Sequence, residues 1–205
     1  MFTLADSFNI LVFSDSHNTW KIQGDLKLSY SIPQNNGNIF EAVDFVLNLN
    51  SMGGTNINDA LLRALEIAAK VKTQEEIGSK TEQMIIFLSD GEPTSGTVTN
   101  QTKIKENVKN ANKKLQIPIY GLAFGNGADY DLIKDISDEN YAFAQRIYES
   151  GNSFEQLENF YKEISGIQNG SIFLSSHSRK KILESSIDEL KNFFFESLIS
   201  LISQK

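Results

Sequence analysis

The stretch that decides the fold is Met-Ile-Ile-Phe-Leu-Ser-Asp-Gly at residues 84–91, an uninterrupted apolar run closed by a polar turn. Such runs are typical of strands buried on both faces of a parallel sheet. A second apolar run at 117–124 follows it, after a lysine-rich helical pattern over 103–115. Strands that alternate with amphipathic helices predict an α/β layered fold with a mostly parallel sheet.

The rest of the chain extends this alternation on both sides. Further strands are predicted at 8–13, at 20–30 as a hairpin partner or edge strand, and at 141–148. Further helices are predicted at 40–49, at 61–71 with Asn58 as N-cap, at 130–136 and at 154–164. We divide the chain into a domain at 1–166, a polar linker at 167–178, and an amphipathic C-terminal helix at 179–205.

Composition excludes several classes of function. Among the 205 residues, 19 are Lys or Arg and 26 are Asp or Glu, which gives a net charge of −7 and disfavours nucleic-acid binding. The chain has no cysteine, so disulfides, thiolate metal sites and cysteine nucleophiles are excluded. No apolar run is long enough to span a bilayer, and residues 1–13 do not resemble a signal peptide.

Polar clusters follow the predicted strands at the edge where an open parallel sheet binds ligands. They lie at 15–17, 89–91 and 125–127, and Thr55, in a loop before a helix, could join them. A carboxylate combined with hydroxyls suits a hard cation, Mg²⁺ or Ca²⁺. The alternative is that these residues only cap helices and form turns.

Other motifs give little support for catalysis. The glycines at 125–127 lack the third glycine of a dinucleotide site, and the Gly53-Gly54-Thr55 segment lacks the lysine of a phosphate-binding loop. His17 and His177 have no metal-binding spacing and are interpreted as surface residues. Two tripeptides, beginning at Asn100 and Asn169, match the N-glycosylation pattern.

Residues 53–61 and 85–91 resemble a von Willebrand factor type A domain, and more narrowly the heavy chains of the inter-α-trypsin inhibitor family. Further matching segments lie at 8–13, 18–21, 120–127 and 143–149. The resemblance covers about residues 7–166. It implies a three-layer, Rossmann-like, mostly parallel α/β fold, and a non-enzymatic domain of the adhesion type.

The resemblance also implies a metal-ion-dependent adhesion site, in which Mg²⁺ keeps a coordination position open for a carboxylate of a protein partner. The family's first strand carries an Asp-x-Ser-x-Ser motif that this sequence lacks, so we expect a domain truncated at its N-terminus. Only Thr55 and Asp90 match the family's metal ligands. We therefore expect an incomplete site in which Mg²⁺ binds weakly or not at all.

The family is extracellular and is associated with hyaluronan-rich matrix and protease-inhibitor complexes, so the resemblance implies a secreted glycoprotein. The covalent link to hyaluronan involves a distant C-terminal part of the family protein and is not expected here. The alternatives are a doubly wound hydrolase or phosphotransfer domain that uses Asp90, or an inert fragment. The missing strand would lie between 8–13 and 84–88, which could either pair directly or leave a gap.

Overall fold

A computed structural model of the chain describes residues 8–19, 37–49, 53–74, 83–149 and 152–164. The chain divides into two compact units, which are described separately. The helical unit comprises residues 1–7, 30–51 and 149–205, and the sheet unit comprises residues 8–29 and 52–148.

The sheet unit alternates strands and helices. Its elements are β1 (Leu11–Phe13), β2 (His17–Thr19), α2 (Ile57–Gln74), β3 (Ile85–Ser89), α3 (Gln101–Asn112), β4 (Ile119–Phe124), α4 (Tyr130–Asp138) and β5 (Ala144–Ile147). The described elements of the helical unit are α1 (Gly37–Leu47) and α5 (Ser153–Ile164).

The central sheet has the order β3-β4-β5, and both of its pairings are parallel. Gly121 in the middle strand lies opposite Phe87 on one side and Ala144 on the other. Parallel neighbours need a crossover connection, and α3 and α4 provide it. The predicted α/β fold with a parallel, helix-flanked sheet is confirmed.

Strands β1 and β2 form a separate antiparallel hairpin in which Val12 lies opposite Asn18. The strand predicted at 8–13 is present as β1 and ends at Phe13, where the polar residues begin, and a tight turn then leads the chain into β2 at His17. The hairpin partner predicted at 20–30 lies outside the described residues. Within the described part of the chain, β1 does not pair with β3. The Phe13 and Phe87 rings stack instead, with centroids 5.5 Å apart.

The prediction that 84–88 is buried on both faces was wrong for one face. Phe87 and Ser89 are buried, whereas Met84 is 52% exposed and Ile86 is 49% exposed. Successive side chains of a strand point to opposite faces, so Met84 and Ile86 share the exposed face. An uninterrupted apolar run cannot by itself distinguish burial on one face from burial on both.

The core lies between the sheet and the helices of the sheet unit. It is built from buried side chains of α2, β3, α3, β4 and α4, among them Ile57, Leu61, Phe87, Ile104, Ile119 and Ile133. Helix α4 lies so close to β4 that a Cβ atom on Gly121 would be 2.5 Å from Ile133 Cγ2 and 2.6 Å from Ser137 Oγ. Glycine at position 121 therefore permits the close packing of this helix on the sheet.

In the helical unit, α5 buries Leu157 and Phe160, one turn apart on the same side of the helix. The predicted linker at 167–178, the predicted helix at 179–205, His177 and Asn169 all lie outside the described residues. Among the helices that are described, none has the length and apolarity needed to cross a bilayer.

Candidate functional site at the carboxyl ends of the strands

Four loops meet at one edge of the sheet unit. We call them the β1 loop (14–16), the α2 loop (53–56), the β3 loop (90–96) and the β4 loop (125–128). The β1, β3 and β4 loops each follow the strand for which they are named, and the α2 loop precedes α2. Ligands of open α/β sheets bind outside the carboxyl ends of the strands, so this edge is the candidate site.

The two predicted metal ligands lie in adjacent loops. A Cβ atom on Gly91, the residue after Asp90, would be 3.3 Å from Thr55 Oγ1. A Cβ atom on Gly127 would be 3.2 Å from the backbone oxygen of Asp90. The loops that carry Thr55 and Asp90 therefore approach each other, and the β4 loop packs beside Asp90.

Backbone hydrogen bonds join the α2 and β3 loops independently of any acidic side chain. The Thr55 N–H donates to Thr94 Oγ1 at 2.9 Å. In return, the Thr55 carbonyl accepts from the Thr94 N–H at 3.1 Å and from the Ser95 N–H at 3.3 Å. Thr55 thus holds the β3 loop through its main chain, so its hydroxyl is not required for that contact.

Asp15 connects the β1 loop to both of these loops. Its Oδ1 accepts a hydrogen bond from the Gly54 N–H at 2.8 Å. The same oxygen accepts a hydrogen bond from the Ser95 hydroxyl. The Ser95 bond, followed by the Gly54 bond, lowers the pKa of the Asp15 carboxyl, because both stabilise the ionised form.

The glycines of this edge leave room for these polar side chains. A Cβ atom on Gly53 would be 2.1 Å from Asp15 Oδ2, and one on Gly54 would be 1.9 Å from Ser95 Oγ. Gly53 also has a φ of +77°, a conformation that other residues rarely adopt. The Gly53-Gly54 pair therefore leaves space for the Asp15 carboxylate in the loop that precedes α2.

The start of α2 differs from the prediction. Helix α2 begins at Ile57, so Asn58 lies inside it, and the capping residue is Asn56. The Asp59 N–H donates to Asn56 Oδ1 at 3.2 Å, and Asn56 Nδ2 donates to Asp59 Oδ2 at 2.8 Å. This reciprocal pair caps the start of α2, but it is not a capping box, because the Asp59 carboxylate accepts from the Asn56 side chain and not from the Asn56 backbone N–H.

Asn56 also secures the β1 loop. Its N–H donates to the Ser14 carbonyl at 2.8 Å, and its Nδ2 donates to the Asp15 carbonyl at 3.1 Å. The pKa of Asp59 is lowered by hydrogen bonds from Asn56 and then Asn58, with a smaller contribution from the charge of His17. His17 is exposed in β2, in agreement with its interpretation as a surface residue.

Arg146 in β5 supports the β4 loop. Its Nη1 donates to the Gly125 carbonyl at 2.8 Å, and its guanidinium lies 5.1 Å from the centre of the Tyr130 ring. Gly125 has a φ of +72°, which the tight turn after β4 requires. The arginine therefore fixes the loop that packs against the Asp90 turn.

Thr55 and Asp90 alone supply too few ligands for a tight magnesium site. Mg²⁺ requires six oxygen ligands in nearly octahedral geometry. Over the described ranges, no three His, Cys, Asp or Glu side chains lie close enough together to hold a metal ion. Thr55 and Asp90 offer one hydroxyl and one carboxylate, while the Asp15 carboxylate already accepts hydrogen bonds from Gly54 and Ser95.

Thr94, Ser95 and Asn56 are part of this edge, and none of them was identified from the sequence. Their contacts join residues 39, 41 and 80 positions apart, so no local motif reveals them. The available signal was the Gly53-Gly54 pair, since paired glycines often mark a close approach of another group.

Comparison with known proteins identifies the family. The model of the von Willebrand factor type A domain matches residues 2–163. The chain is 36% identical over 160 residues to inter-alpha-trypsin inhibitor heavy chain H3 from Bos taurus, and equally identical over the same length to heavy chain H3 from Homo sapiens. Each of these alignments covers 78% of this chain. It is 36% identical over 161 residues, 78% of this chain, to heavy chain H1 from Mesocricetus auratus. The chain spans 17% of the length of each of these relatives. It belongs to the von Willebrand factor type A domain family and is homologous to the inter-alpha-trypsin inhibitor heavy chains.

Proposed function

We propose that this chain is a non-enzymatic binding domain of the adhesion type, with its binding surface at the loop edge around Thr55 and Asp90. The observation that carries the proposal is the approach of these two loops, with the Gly91 Cβ position 3.3 Å from the Thr55 hydroxyl. Family membership supports it, because type A domains and inter-alpha-trypsin inhibitor heavy chains are protein-binding proteins.

The metal site on this edge is incomplete in our proposal. One hydroxyl and one carboxylate leave most of the magnesium shell to water, and Mg²⁺ loses its water reluctantly. We therefore propose Mg²⁺ binding in the millimolar range or none. A protein partner that presents a carboxylate is the ligand that such an edge would take if the metal site were intact and Mg²⁺ were bound.

The setting of the relatives suggests where the partner occurs. Homology to the heavy chains supports an extracellular location and a partner among matrix or inhibitor-complex proteins, including hyaluronan-rich assemblies. The net charge of −7 opposes direct electrostatic attraction to hyaluronan, which is itself a polyanion. A protein of that setting is therefore favoured over the polysaccharide itself.

Asn100 is a proposed glycosylation site. It is exposed at the start of α3, where its Oδ1 accepts a hydrogen bond from the Lys103 N–H at 3.0 Å. A glycan would be attached through Nδ2, which that bond does not use. We expect chain secreted from animal cells to lose mass on treatment with an N-glycosidase, and an Asn100→Gln variant to carry one glycan fewer.

A residue-resolved titration tests the binding surface. In ¹⁵N NMR spectra of the 205-residue chain, any shifts caused by magnesium chloride should lie in amides of the α2, β3 and β4 loops and should appear only at millimolar concentration. Asp90→Asn should abolish the shifts, whereas Glu92→Gln, on the same loop, should preserve them. Shifts centred elsewhere on the sheet unit would contradict the proposed surface.

Asp90 also permits a test of the enzymatic alternative. A phosphotransfer domain would accept a phosphoryl group on the Asp90 carboxylate when it is incubated with acetyl phosphate. We expect no gain in mass under these conditions. A mass increase that matches one phosphoryl group, and that is absent in Asp90→Asn, would replace the binding function with catalysis.

A further inference from the structure

Two hydrogen-bond donors from separate loops converge on one carboxylate oxygen. The Gly54 N–H and the Ser95 hydroxyl both donate to Asp15 Oδ1, although they lie 39 and 80 positions from it in the sequence. Asp15 itself is exposed at the surface. A buried structural role therefore does not account for the convergence.

The donors are held in place without Asp15. Three hydrogen bonds join Thr55 to Thr94 and Ser95, and they fix the α2 loop against the β3 loop. Gly54 is adjacent to Thr55, and the Ser95 N–H takes part in the same pairing. The backbone segments that carry the two donors are thus held side by side, and Asp15 enters from a third segment of the chain.

We propose that the Gly54 N–H and the Ser95 hydroxyl form a carboxylate-binding site, and that Asp15 of the same chain occupies it as an internal ligand. The proposal does not depend on the metal function of Thr55 and Asp90, because the donors are uncharged groups of the protein. Preorganised N–H and O–H donors are a suitable site for a carboxylate, since charge-assisted hydrogen bonds are stronger than neutral ones.

The space at the two glycines is just large enough for a carboxylate group. The Cβ positions of Gly53 and Gly54 fall 2.1 Å from Asp15 Oδ2 and 2.9 Å from Asp15 Oδ1, so backbone at these glycines lies directly against the carboxylate. Asn56 fixes the backbone of Ser14 and Asp15, which holds the internal ligand in position. While Asp15 stays bound, an external Asp, Glu or chain-terminal carboxylate cannot reach the donor pair.

Chemical rescue tests this site. In Asp15→Ala the carboxylate is missing, and sodium formate supplies one of the same size. With EDTA present throughout, formate should raise the Tm of Asp15→Ala saturably by about 2–5 °C relative to equal concentrations of sodium chloride, as expected for a ligand that binds only the folded state. The wild-type chain and the double variant Asp15→Ala/Ser95→Ala should show no such difference between the two salts.

Each other outcome overturns the proposal. If formate and chloride act alike on Asp15→Ala, or if the double variant is rescued equally well, the donor pair is not a carboxylate site. EDTA separates this result from the magnesium titration, so either proposal can fail alone.

A second measurement applies if Asp15→Ala does not fold. Asp15→Asn keeps the shape of the side chain but offers a neutral amide oxygen, which a formate ion should displace. Formate should then shift the Gly54 amide signal in the NMR spectrum of Asp15→Asn and leave that of the wild type unchanged. A Gly54 signal that does not respond in Asp15→Asn contradicts the proposal.

Discussion

Replacement of Asn112 by Ala should destabilise the sheet unit strongly. Asn112, at the end of α3, is 1% exposed. Its Nδ2 donates to the Ile117 carbonyl at 2.7 Å and to Asn140 Oδ1 at 2.9 Å, and its Oδ1 accepts from the Ile117 N–H at 2.9 Å. This side chain therefore fixes the segment that leads into β4 and links it to Asn140, the second residue after α4.

The size of the effect follows from the groups that are left behind. Alanine would strand the Ile117 N–H, the Ile117 carbonyl and Asn140 Oδ1, and a buried polar group without a partner costs about 1–3 kcal/mol. A water molecule in the vacated space could satisfy part of this demand. We therefore expect a loss of about 3–5 kcal/mol in the free energy of unfolding, and a Tm lower by about 6–20 °C for a chain of this size.

Urea denaturation and thermal melts followed by circular dichroism measure this loss. Asn110→Ala is the matched control, because Asn110 is exposed on the same helix and its replacement should change stability by less than about 0.5 kcal/mol. A loss below about 1 kcal/mol for Asn112→Ala would show that the hydrogen bonds at the start of β4 are not structural.

Three further predictions concern the glycines and Asp15. Gly54→Ala should lower the Tm more than Gly91→Ala does. A Cβ atom at position 54 would fall 1.9 Å from Ser95 Oγ, whereas one at position 91 would lie 3.3 Å from its nearest neighbour. Equal Tm values for the two variants would argue against the crowding of Ser95. Gly121→Ala should cost about 1–3 kcal/mol in urea denaturation, because its Cβ would fall 2.5 Å from Ile133 Cγ2, and a neutral result would indicate looser packing of α4 on β4. The folded state lowers the pKa of Asp15 below its ordinary 3.8, so its contribution to stability is present above that value and is lost as the pH falls through the folded-state pKa. The Tm difference between the wild type and Asp15→Asn should therefore shrink as the pH falls below about 3.8, and a constant difference would contradict the assignment.

The fold could be predicted because its signals are local and repeated. The apolar run at 84–88 contains all of β3 except Ser89, and the run at 117–124 contains β4. The lysine-rich pattern at 103–115 contains most of α3. Each of these elements carries its own periodicity, so no long-range contact is needed to recognise it. The burial of each face could not be predicted in the same way. Whether a face of β3 is exposed depends on which elements pack against it, and the sequence of the strand alone does not determine that.

The candidate site could be predicted only in part. The strand ends could be identified, because polar residues follow apolar runs at Asp15, Asp90 and Gly125. Their hydrogen-bond partners could not, because the contacts of Asp15 with Gly54 and Ser95 depend on the arrangement of the loops in space. The capping residue of α2 was misplaced by two positions, since Asn56 and Asn58 are equally suitable caps by residue type.

Calorimetric titration of the 205-residue chain with Mg²⁺ and Mn²⁺ tests the central claim most directly, namely that the loop edge presents an incomplete metal site. Because Thr55 and Asp90 are the only protein ligands we assign to this site, we predict dissociation constants in the millimolar range or no detectable heat. Asp90→Asn should remove any weak binding heat and have no other effect on the titration. A micromolar dissociation constant that Asp90→Asn abolishes would contradict this claim, because it would require further protein ligands at the same edge.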